Sequence, residues 1–395
     1  MRDSTSATAG DTPGRCRCAE LTPSGRGALA TIAVWGRGAL AAVSPWFRPA
    51  RGGHLTDVAW GRIVFGRWQT EEGVGEELVV CCRDAESIEV HCHGGLAAPH
   101  RIIRSLVSGG CMQVDREAWI QARHADPIRR DAYAALTVAP TQRTAAILLD
   151  QYRGALSDAI RQIRQDVLAG RMNAAADRLT ILRHRSRFGL HLTTPWHVVL
   201  AGKPNSGKSS LVNAILGYQR SIVHDQPGTT RDVLTAATVV DGWPVQLVDT
   251  AGIHDTTRDP LEVAGIARTE EQVVSADLVI WVADMTASWA GQAPSHAAAD
   301  DHDRTLIVHN KSDLATSVPG SRPPGPCTSA LTGAAIPDLL AAIGKRLVSA
   351  VPPPGSAVPF LPRHVQVLTQ VAAMLSDEDP GQSLEILRSL LPEDR

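Results

Sequence analysis

The chain has 395 residues, of which 44% are hydrophobic and 20% are charged, and its formal net charge is −2. This length exceeds one ordinary hydrophobic core and predicts two or three domains. The charge excludes a chain that is basic throughout, but it does not exclude a local basic surface. The seven cysteines are scattered and show no disulfide framework, so we predict a cytoplasmic protein. No apolar run in the sequence is long enough to span a membrane.

The N-terminal part predicts a tail and a small α+β domain. Residues 1–20 are rich in small polar side chains and predict a disordered tail. Short strands at close spacing then predict an α+β domain over residues 21–113. These strands cover residues 28–35, 58–68, 77–82 and 87–93, and a helix follows from Ala97 to Val107. His91 and His93 share one strand face, but a metal site is disfavoured because no third ligand has suitable spacing.

Residues 114–194 predict a helical domain. Apolar side chains at steps of three and four form one stripe, namely Leu149, Tyr152, Leu156, Ile160, Ile163 and Val167. Another helix is predicted over residues 172–185. Arginines are frequent between residues 123 and 187; we favour a solvated helical face, and an RNA-binding surface is the alternative.

Residues 195–350 predict a doubly wound parallel α/β sheet. Apolar strands alternate with helical stretches there, which requires crossover connections. The predicted strands are residues 198–201, 235–240, 245–248, 278–282 and 305–308. Residues 351–395 begin with a proline-rich linker and predict a short C-terminal helical segment, with helices over 364–375 and 382–391.

A phosphate-binding loop stands between the first of these strands and a helix. It runs Gly202-Lys203-Pro204-Asn205-Ser206-Gly207-Lys208-Ser209-Ser210. Glycines let backbone N–H groups turn towards a phosphate, and the helix N-terminus adds a positive dipole end. Lys208 is expected to reach the outer phosphates, and the Ser209 hydroxyl is expected to bind Mg²⁺.

Two further motifs predict contacts to Mg²⁺ and the γ-phosphate. The segment Gly228-Thr229-Thr230 follows the first helix, where a threonine can close on the metal and the phosphate. Asp249-Thr250-Ala251-Gly252 ends a predicted strand. Its aspartate can hold Mg²⁺ through water, and the Gly252 N–H can meet the γ-phosphate.

Two later motifs predict recognition of guanine. Asn310-Lys311-Ser312-Asp313 ends a strand, and the carboxylate can accept two hydrogen bonds from the guanine edge that adenine cannot donate. Ser329-Ala330 follows the last strand and can present a backbone N–H to guanine O6. The five motifs in this order favour GTP over ATP.

With these motifs, the chain resembles the tRNA-modification GTPase family (MnmE/TrmE-like), within the Era-like GTPases. Outside the GTPase motifs, Leu21–Gly27 and Glu89–Gly95 resemble two signatures of that family's N-terminal domain. The resemblance implies a P-loop domain inserted in a helical domain, preceded by the α+β domain. It further implies K⁺-assisted GTP hydrolysis in tRNA wobble-uridine modification, with a flavoprotein partner and homodimerisation through the G or N-terminal domains.

The resemblance also implies roles for single residues. Asn205 stands where the family's P-loop asparagine binds K⁺, and Val223–Gly228 resembles the loop that completes that site. Ile253 replaces the water-orienting glutamine of Ras-like proteins. Glu262 matches the glutamate that takes this role in the family, although its spacing from Asp249 is one residue longer than usual.

Some segments depart from the family pattern. No cysteine follows Cys327, whereas the family ends in a cysteine needed for modification, and the segment after Pro362 is shorter. The folate pocket is only partly matched: Arg26 is present, but Ala85-Glu86 and Ala125–Ile128 differ, so a folate derivative is a doubtful cofactor. The alternative hypothesis is therefore a divergent paralogue, a regulatory or RNA-assembly GTPase without modification chemistry. A GTP-binding module without turnover is less favoured, because the residues implied in binding and hydrolysis are all present, namely Lys208, Ser209, Asp249, Asn205 and Glu262.

Overall fold

The computed structural model describes residues 15–22, 27–69, 75–218, 235–250, 271–294, 303–315, 321–377 and 379–392. Its contacts divide the chain into two compact units, residues 1–125 and residues 126–395. Across these described ranges, no helix is long and apolar enough to cross a bilayer.

The first unit contains a mixed sheet with helices on it. Its strands are β1 Arg17–Glu20, β2 Leu29–Trp35, β3 Phe47–Pro49, β4 Ile63–Trp68, β5 Glu76–Asp84, β6 Ser87–His93 and β7 Met112–Gln113. Its helices are α1 Ala39–Val43, α2 Ala97–Ser108 and α3 Arg116–Arg123. The sheet order is β3-β4-β5-β6-β2-β1-β7, antiparallel except that β1 and β7 run parallel. Strand β4 begins later than predicted, because the preceding residues turn at Gly61 with φ +78°.

The predicted disordered tail is wrong for its last residues. Arg17–Glu20 pair with β2 and β7, and Cys18 and Ala19 are completely buried in the core of this unit. This strand has only four residues, Arg-Cys-Ala-Glu, and their order shows no alternation of apolar and polar side chains that would predict a strand. The strand is recognisable only in the structure, where β1 lies between β2 and β7.

The cysteine prediction is also wrong for one pair. Cys16 and Cys111 form a disulfide, with their Cα atoms 4.8 Å apart. Cys16 directly precedes β1 and Cys111 directly precedes β7, so the parallel pairing of Arg17 with Met112 brings them together. Since they are 95 residues apart in the sequence, their spacing gave no sign of this contact.

The Glu89–Gly95 signature has a structural explanation. A Cβ on Gly94 would overlap the carbonyl oxygen of Gly27, and the Gly94 N–H donates to Ala28 O at 2.8 Å. Gly95 adopts φ +92° before α2 begins. Gly94 is thus needed for a close backbone crossing, and Gly95 for a left-handed backbone conformation.

The second unit combines a helical region with an α/β region. Its helices are α4 Pro127–Leu136, α5 Gln142–Tyr152, α6 Ala155–Leu168, α7 Met172–Gly189, α8 Lys208–Tyr218, α9 Ile336–Leu347, α10 Pro362–Ser376 and α11 Pro380–Arg388. Helix α10 packs on α7 and α11 packs on α6, so segments from both sides of the α/β region share one helical body. The predicted insertion of the P-loop domain into a helical domain is confirmed.

The predicted apolar stripe over residues 149–167 is not carried by one helix. Gly154 has φ +113° and separates α5 from α6. A Cβ there would also lie 2.9 Å from a guanidinium nitrogen of Arg129. The period of three and four persists across this break because both helices bury the same core, while Leu149 remains partly exposed.

The α/β region contains a five-stranded sheet. Its strands are β8 Trp196–Ala201, β9 Thr235–Val240, β10 Trp243–Asp249, β11 Leu278–Asp284 and β12 Thr305–Asn310. Their order is β12-β11-β8-β10-β9, and only the edge strand β9 runs antiparallel to its neighbour. The carboxyl ends of β8, β10, β11 and β12 therefore meet at one edge, where ligands bind in such sheets.

A contact that we call the hairpin clasp joins the β9–β10 turn to the start of α5. Asp241 and Gly242 have φ +47° and +76°, as a two-residue hairpin turn requires. Arg143 Nη1 and Nη2 donate to the Asp241 carboxylate at 3.1 and 3.2 Å, and the guanidinium lies 5.6 Å from the ring centre of Trp243. Thr141 Oγ1 donates to Gly242 O at 2.6 Å. The clasp thus links the helical region to the sheet.

Candidate nucleotide-binding site

The phosphate-binding loop depends on unusual backbone geometry. Gly202 has φ +142°, and a Cβ there would overlap Val282 O on β11. Gly207 has φ +91°, and a Cβ there would overlap the Asn310 side chain. Asn205 also adopts positive φ, +63°, and its side chain is exposed. Three of nine loop residues thus hold left-handed or glycine-only conformations, which curl the backbone as a phosphate cradle requires.

Lys208 is held within this loop. Only 5% of its surface is exposed, and Nζ donates to Gly202 O and Lys203 O, each at 3.1 Å. Burial lowers the pKa of Lys208, and the charge of Asp249 opposes that effect. An anionic phosphate would stabilise the protonated amine further. Ser206 is buried, and its Oγ has no hydrogen-bond partner in the described part of the chain. These features fit a bound phosphate.

The residues predicted to hold Mg²⁺ lie on neighbouring elements. Asp249 ends β10 and is 1% exposed, and it pairs in register with Leu200 of β8. Thr250 Oγ1 donates to Leu200 O at 2.8 Å and fixes the chain after this strand. Ser209 and Ser210 are exposed in the first turn of α8. A hydroxyl and a carboxylate beside a phosphate cradle form the donor set that Mg²⁺ prefers.

Asn310 connects two loops of the site. It is 1% exposed; Nδ2 donates to Ser206 O at 3.0 Å, and Oδ1 accepts from Ala330 N at 3.1 Å and Thr328 Oγ1 at 3.5 Å. One side chain therefore holds the phosphate loop and the loop of Ala330 at a fixed separation.

The residues around Asn310 complete the predicted base site. Lys311 has φ +65°, and its Nζ lies 2.7 Å from Asp284 Oδ2. Asp313 is exposed, and Ser329 is buried with its Oγ accepting from Thr332 N at 3.1 Å.

Sequence reasoning missed Asp284, Gln292 and Arg322. Asp284 ends β11 beside the predicted site, so the rule that ligands lie at the carboxyl ends of parallel strands could have found it. Gln292 and Arg322 contact this region from loops, and no sequence spacing marks them.

Several predicted site residues lie outside the described ranges. They are Gly228, Thr229, Thr230, Gly252 and Glu262, together with Ile253 and, in the first unit, Arg26. Their roles stay predictions. Within the described ranges, no group of three or more His, Cys, Asp or Glu side chains could hold a metal ion. His91 contacts Thr31 Oγ1 at 3.1 Å, and His93 Nδ1 lies 3.2 Å from Glu76 Oε1.

Comparisons with known proteins agree with this geometry. A family described as "50S ribosome-binding GTPase" matches residues 197–313. The chain is 30% identical to the tRNA modification GTPase MnmE of a Synechococcus strain, with 88% of this chain and 83% of the relative covered. It is 31% identical to the protein of that name from Parasynechococcus marenigrum, with 84% and 81% covered, and 34% identical to that from Methylorubrum populi, with 73% and 70% covered.

A match over 88% of the chain extends well beyond the phosphate loop and includes the α/β region and the helices that precede it. The fold with a P-loop domain inside a helical body agrees with it. The chain therefore belongs to the tRNA modification GTPase MnmE family and is a GTP hydrolase.

Proposed function

We propose that this GTPase acts in wobble-uridine modification of tRNA in the cytoplasm, and that its hydrolysis is assisted by K⁺ and depends on dimerisation. The observation that carries the proposal is the agreement of a nucleotide site organised by Asn310 with relatives named MnmE, matched over most of their length. The cytoplasmic location is proposed because the substrate is tRNA. The cysteines no longer support it, because Cys16 and Cys111 form a disulfide.

In the proposed site, the phosphate chain lies in the loop Asn205–Ser210 and contacts Lys208. Ser209, Thr230 and Asp249 hold Mg²⁺, while Gly228, Thr229 and Gly252 close on the γ-phosphate. At the other end, Asp313 accepts from the guanine edge and the Ala330 N–H lies beside O6, with Asn310, Lys311 and Ser329 supporting both contacts. Phosphoryl transfer needs mainly positioning and charge neutralisation, which these groups can supply.

The K⁺ role of Asn205 has a direct test. GTP turnover of the full chain is expected to be at least tenfold faster in K⁺ than in Na⁺, because a bound cation neutralises transition-state charge. Asn205→Ala should remove the difference, whereas Asn213→Ala, an exposed asparagine of α8, should keep it. Equal rates of the unmodified protein in the two salts would reject the K⁺ assignment.

The water-positioning role of Glu262 predicts a separation of binding from turnover. Glu262→Ala should bind GTP normally and lose about 100-fold in kcat, since a misplaced water molecule is a poor nucleophile. Glu271→Ala removes an exposed glutamate that has no proposed role and serves as the control. Undiminished turnover of Glu262→Ala would assign the water to another residue.

Complementation tests the biological role. A strain that lacks its tRNA modification GTPase should regain the modified uridine when it expresses this chain, but not when it expresses Lys208→Ala. Co-purification of the flavoprotein partner and tRNA would support the same role, and light scattering with GTP would detect the proposed homodimer. Failure to complement, with GTP hydrolysis intact, would favour the alternative of a regulatory or RNA-assembly paralogue. The departures of the folate segments, at Ala85-Glu86 and Ala125–Ile128, motivate that alternative.

A further inference from the structure

We propose that Asp284 is a positioning residue for guanine-nucleotide binding, which orients Lys311, and that Gln292 and Arg322 hold the turn that carries it. The proposal rests on the base-binding role proposed above for Asn310–Asp313. It adds three residues that lie outside the GTPase motifs of the sequence.

The first step is the ion pair between Asp284 and Lys311. Lys311 Nζ lies 2.7 Å from Asp284 Oδ2, with side-chain exposures of 29% and 18%. A Cβ on Gly207 would lie 4.0 Å from Lys311 Cε, so the end of the lysine stem passes beside the phosphate loop. The ion pair therefore holds the Lys311 side chain in one position beside the phosphate loop before nucleotide binds.

The carboxylate of Asp284 is itself fixed. Its Oδ1 accepts from Thr286 N at 2.8 Å and from Thr286 Oγ1 at 2.6 Å, so each oxygen has its own donors. Burial raises the pKa of Asp284, but the hydrogen bonds from Lys311 and Thr286 outweigh that effect and leave it below its usual value. The Asp284 carboxylate is therefore charged at neutral pH, and its hydrogen bonds hold it in one orientation.

Gln292 holds the turn from one side. It is 7% exposed, its Oε1 accepts from Asp284 N at 2.7 Å, and its Nε2 donates to Asp284 O at 2.9 Å. The same amide also reaches Ala287 O and Ser288 O, each at 3.2 Å. A side-chain amide is thus used to satisfy the backbone of this turn, which fixes the direction in which Asp284 leaves β11.

Arg322 holds the turn from the other side. Its Nη2 donates to Asp284 O at 3.3 Å, to Met285 O at 3.1 Å, and also to Ala287 O. Its Nη1 lies 3.3 Å from Nδ1 of His309, the residue immediately before Asn310. The guanidinium fork therefore ties the Asp284 turn to the strand that delivers the base motif.

These contacts favour a role in binding as well as in stability. A free lysine side chain carries about 2 kcal/mol of rotamer entropy, which a ligand must overcome when it orders that side chain. Asp284 orders Lys311 in advance, so the nucleotide meets a preorganised site. Removing the carboxylate should weaken nucleotide binding without affecting the hydrolytic step, which takes place at the phosphate end.

The test compares Asp284→Asn with the unmodified full chain. We expect the Kd of a fluorescent GDP analogue and the KM for GTP to rise about tenfold, with kcat at saturating GTP within about twofold. Asp284→Glu should restore part of the affinity. Asp338→Asn, an exposed aspartate of α9, is the matched control and should change neither constant.

A double-mutant cycle separates positioning from general destabilisation. In a Lys311→Met background, Asp284→Asn should cause less than about a twofold further loss of GDP affinity, because its target is already absent. An equal tenfold loss in both backgrounds would overturn the proposal, and so would unchanged affinity of Asp284→Asn. If the unmodified chain fails to bind guanine nucleotides, the proposed base site itself fails, which is a distinct result. Arg322→Lys keeps the charge but loses the fork, and it should weaken GDP binding in the same direction.

Discussion

At the scale of residues, the side chain of Asn310 makes hydrogen bonds to two different loops of the described site. Its amide nitrogen binds the backbone of the phosphate loop and its oxygen binds the Ala330 loop, so no apolar or shorter side chain can replace both bonds. The motif pattern predicted that Asn310 belongs to a base site. The pattern could not reveal that the same residue buttresses the phosphate loop, because Ser206 lies 104 residues earlier.

Asn310→Ala should therefore lose nucleotide affinity and stability together. Two buried hydrogen-bonding sites would lose their partner, at a cost of about 1–3 kcal/mol. We expect a lower thermal midpoint and at least a tenfold higher Kd for GDP. Asn173→Ala, an exposed asparagine of α7, should match the unmodified protein, and a normal Kd for Asn310→Ala would contradict the bridging role.

Asp313→Asn tests the base contact alone. An amide cannot accept both hydrogen bonds from guanine, but it can donate to the oxygen that xanthine carries at that position. We expect GTP affinity to fall and XTP affinity to rise, measured by competition against a fluorescent nucleotide. Asp313 is exposed, so the thermal midpoint of the nucleotide-free protein should stay unchanged. Retained preference for GTP would remove Asp313 from the base site.

At the scale of elements, a contact between the side chains of Asp131 and His364 joins α4 to α10. His364 is completely buried, its Nε2 lies 2.8 Å from Asp131 Oδ2, and Arg363 also pairs with this carboxylate. Burial raises the pKa of Asp131, but the hydrogen bonds from His364 and Arg363 outweigh that effect, so the pKa lies below its usual value. A depressed carboxyl pKa stabilises the fold above the unfolded value of about 4, and this stability is lost as pH falls through the folded value.

The pair predicts acid sensitivity of the helical region. Below about pH 4, thermal midpoints of the unmodified protein should fall more steeply than those of Asp131→Asn, which lacks the titrating group. At pH 7, His364→Ala should cost about 3 kcal/mol, because it leaves a buried carboxylate with one partner fewer. Parallel pH profiles of the unmodified chain and Asp131→Asn would show that the pair does not govern acid unfolding.

The hairpin clasp predicts a measurable coupling between α5 and the β9–β10 turn. The ion pair is partly exposed, with side-chain exposures of 32% and 59%, so the Arg143–Asp241 interaction should contribute only about 0.5–1 kcal/mol. A double-mutant cycle of Arg143→Ala and Asp241→Ala in urea unfolding would measure it. Arg183→Ala, an exposed arginine of α7, controls for loss of charge. A coupling energy of zero would leave Thr141 and Trp243 as the contacts that join the two elements.

Sequence periodicity predicted most helices and strands of both units. The elements that it missed were missed for physical reasons. All five strands of the α/β sheet were predicted, and the four parallel ones, β8, β10, β11 and β12, are mostly buried and form largely apolar runs. Strands β1, β3 and β7 have two to four residues, too few for a pattern to register. The break at Gly154 was missed because α5 and α6 bury the same core, and apolar spacing reports burial rather than backbone continuity.

At the scale of the whole molecule, the second unit has a core that is continuous between the helices and the sheet. Buried side chains from α4 to α11 and from one face of the five-stranded sheet form one cluster, and a smaller cluster covers the other face. We expect this unit to unfold cooperatively.

Nucleotide binding should therefore protect the helices as well as the strands. At a GDP concentration 100 times its Kd, binding adds about 2.7 kcal/mol to the stability of the folded state. Hydrogen exchange under mild denaturant should show similar gains for amides of α6, α10 and β8. A gain confined to the sheet would show that the helical body opens independently. Lys208→Ala, which should not bind GDP, provides the control.

The Asp131–His364 pair also has a consequence for synthesis of the chain on the ribosome. Its two residues are separated by 233 positions, and the whole α/β region lies between them. At about 5–20 residues per second, the first helices would wait about 10–50 s before their last partners emerge from the exit tunnel. During that interval, the apolar faces of the first helices cannot yet pack against α10 and α11. Nascent chains should therefore depend on chaperones that bind hydrophobic surface until the final helices are made.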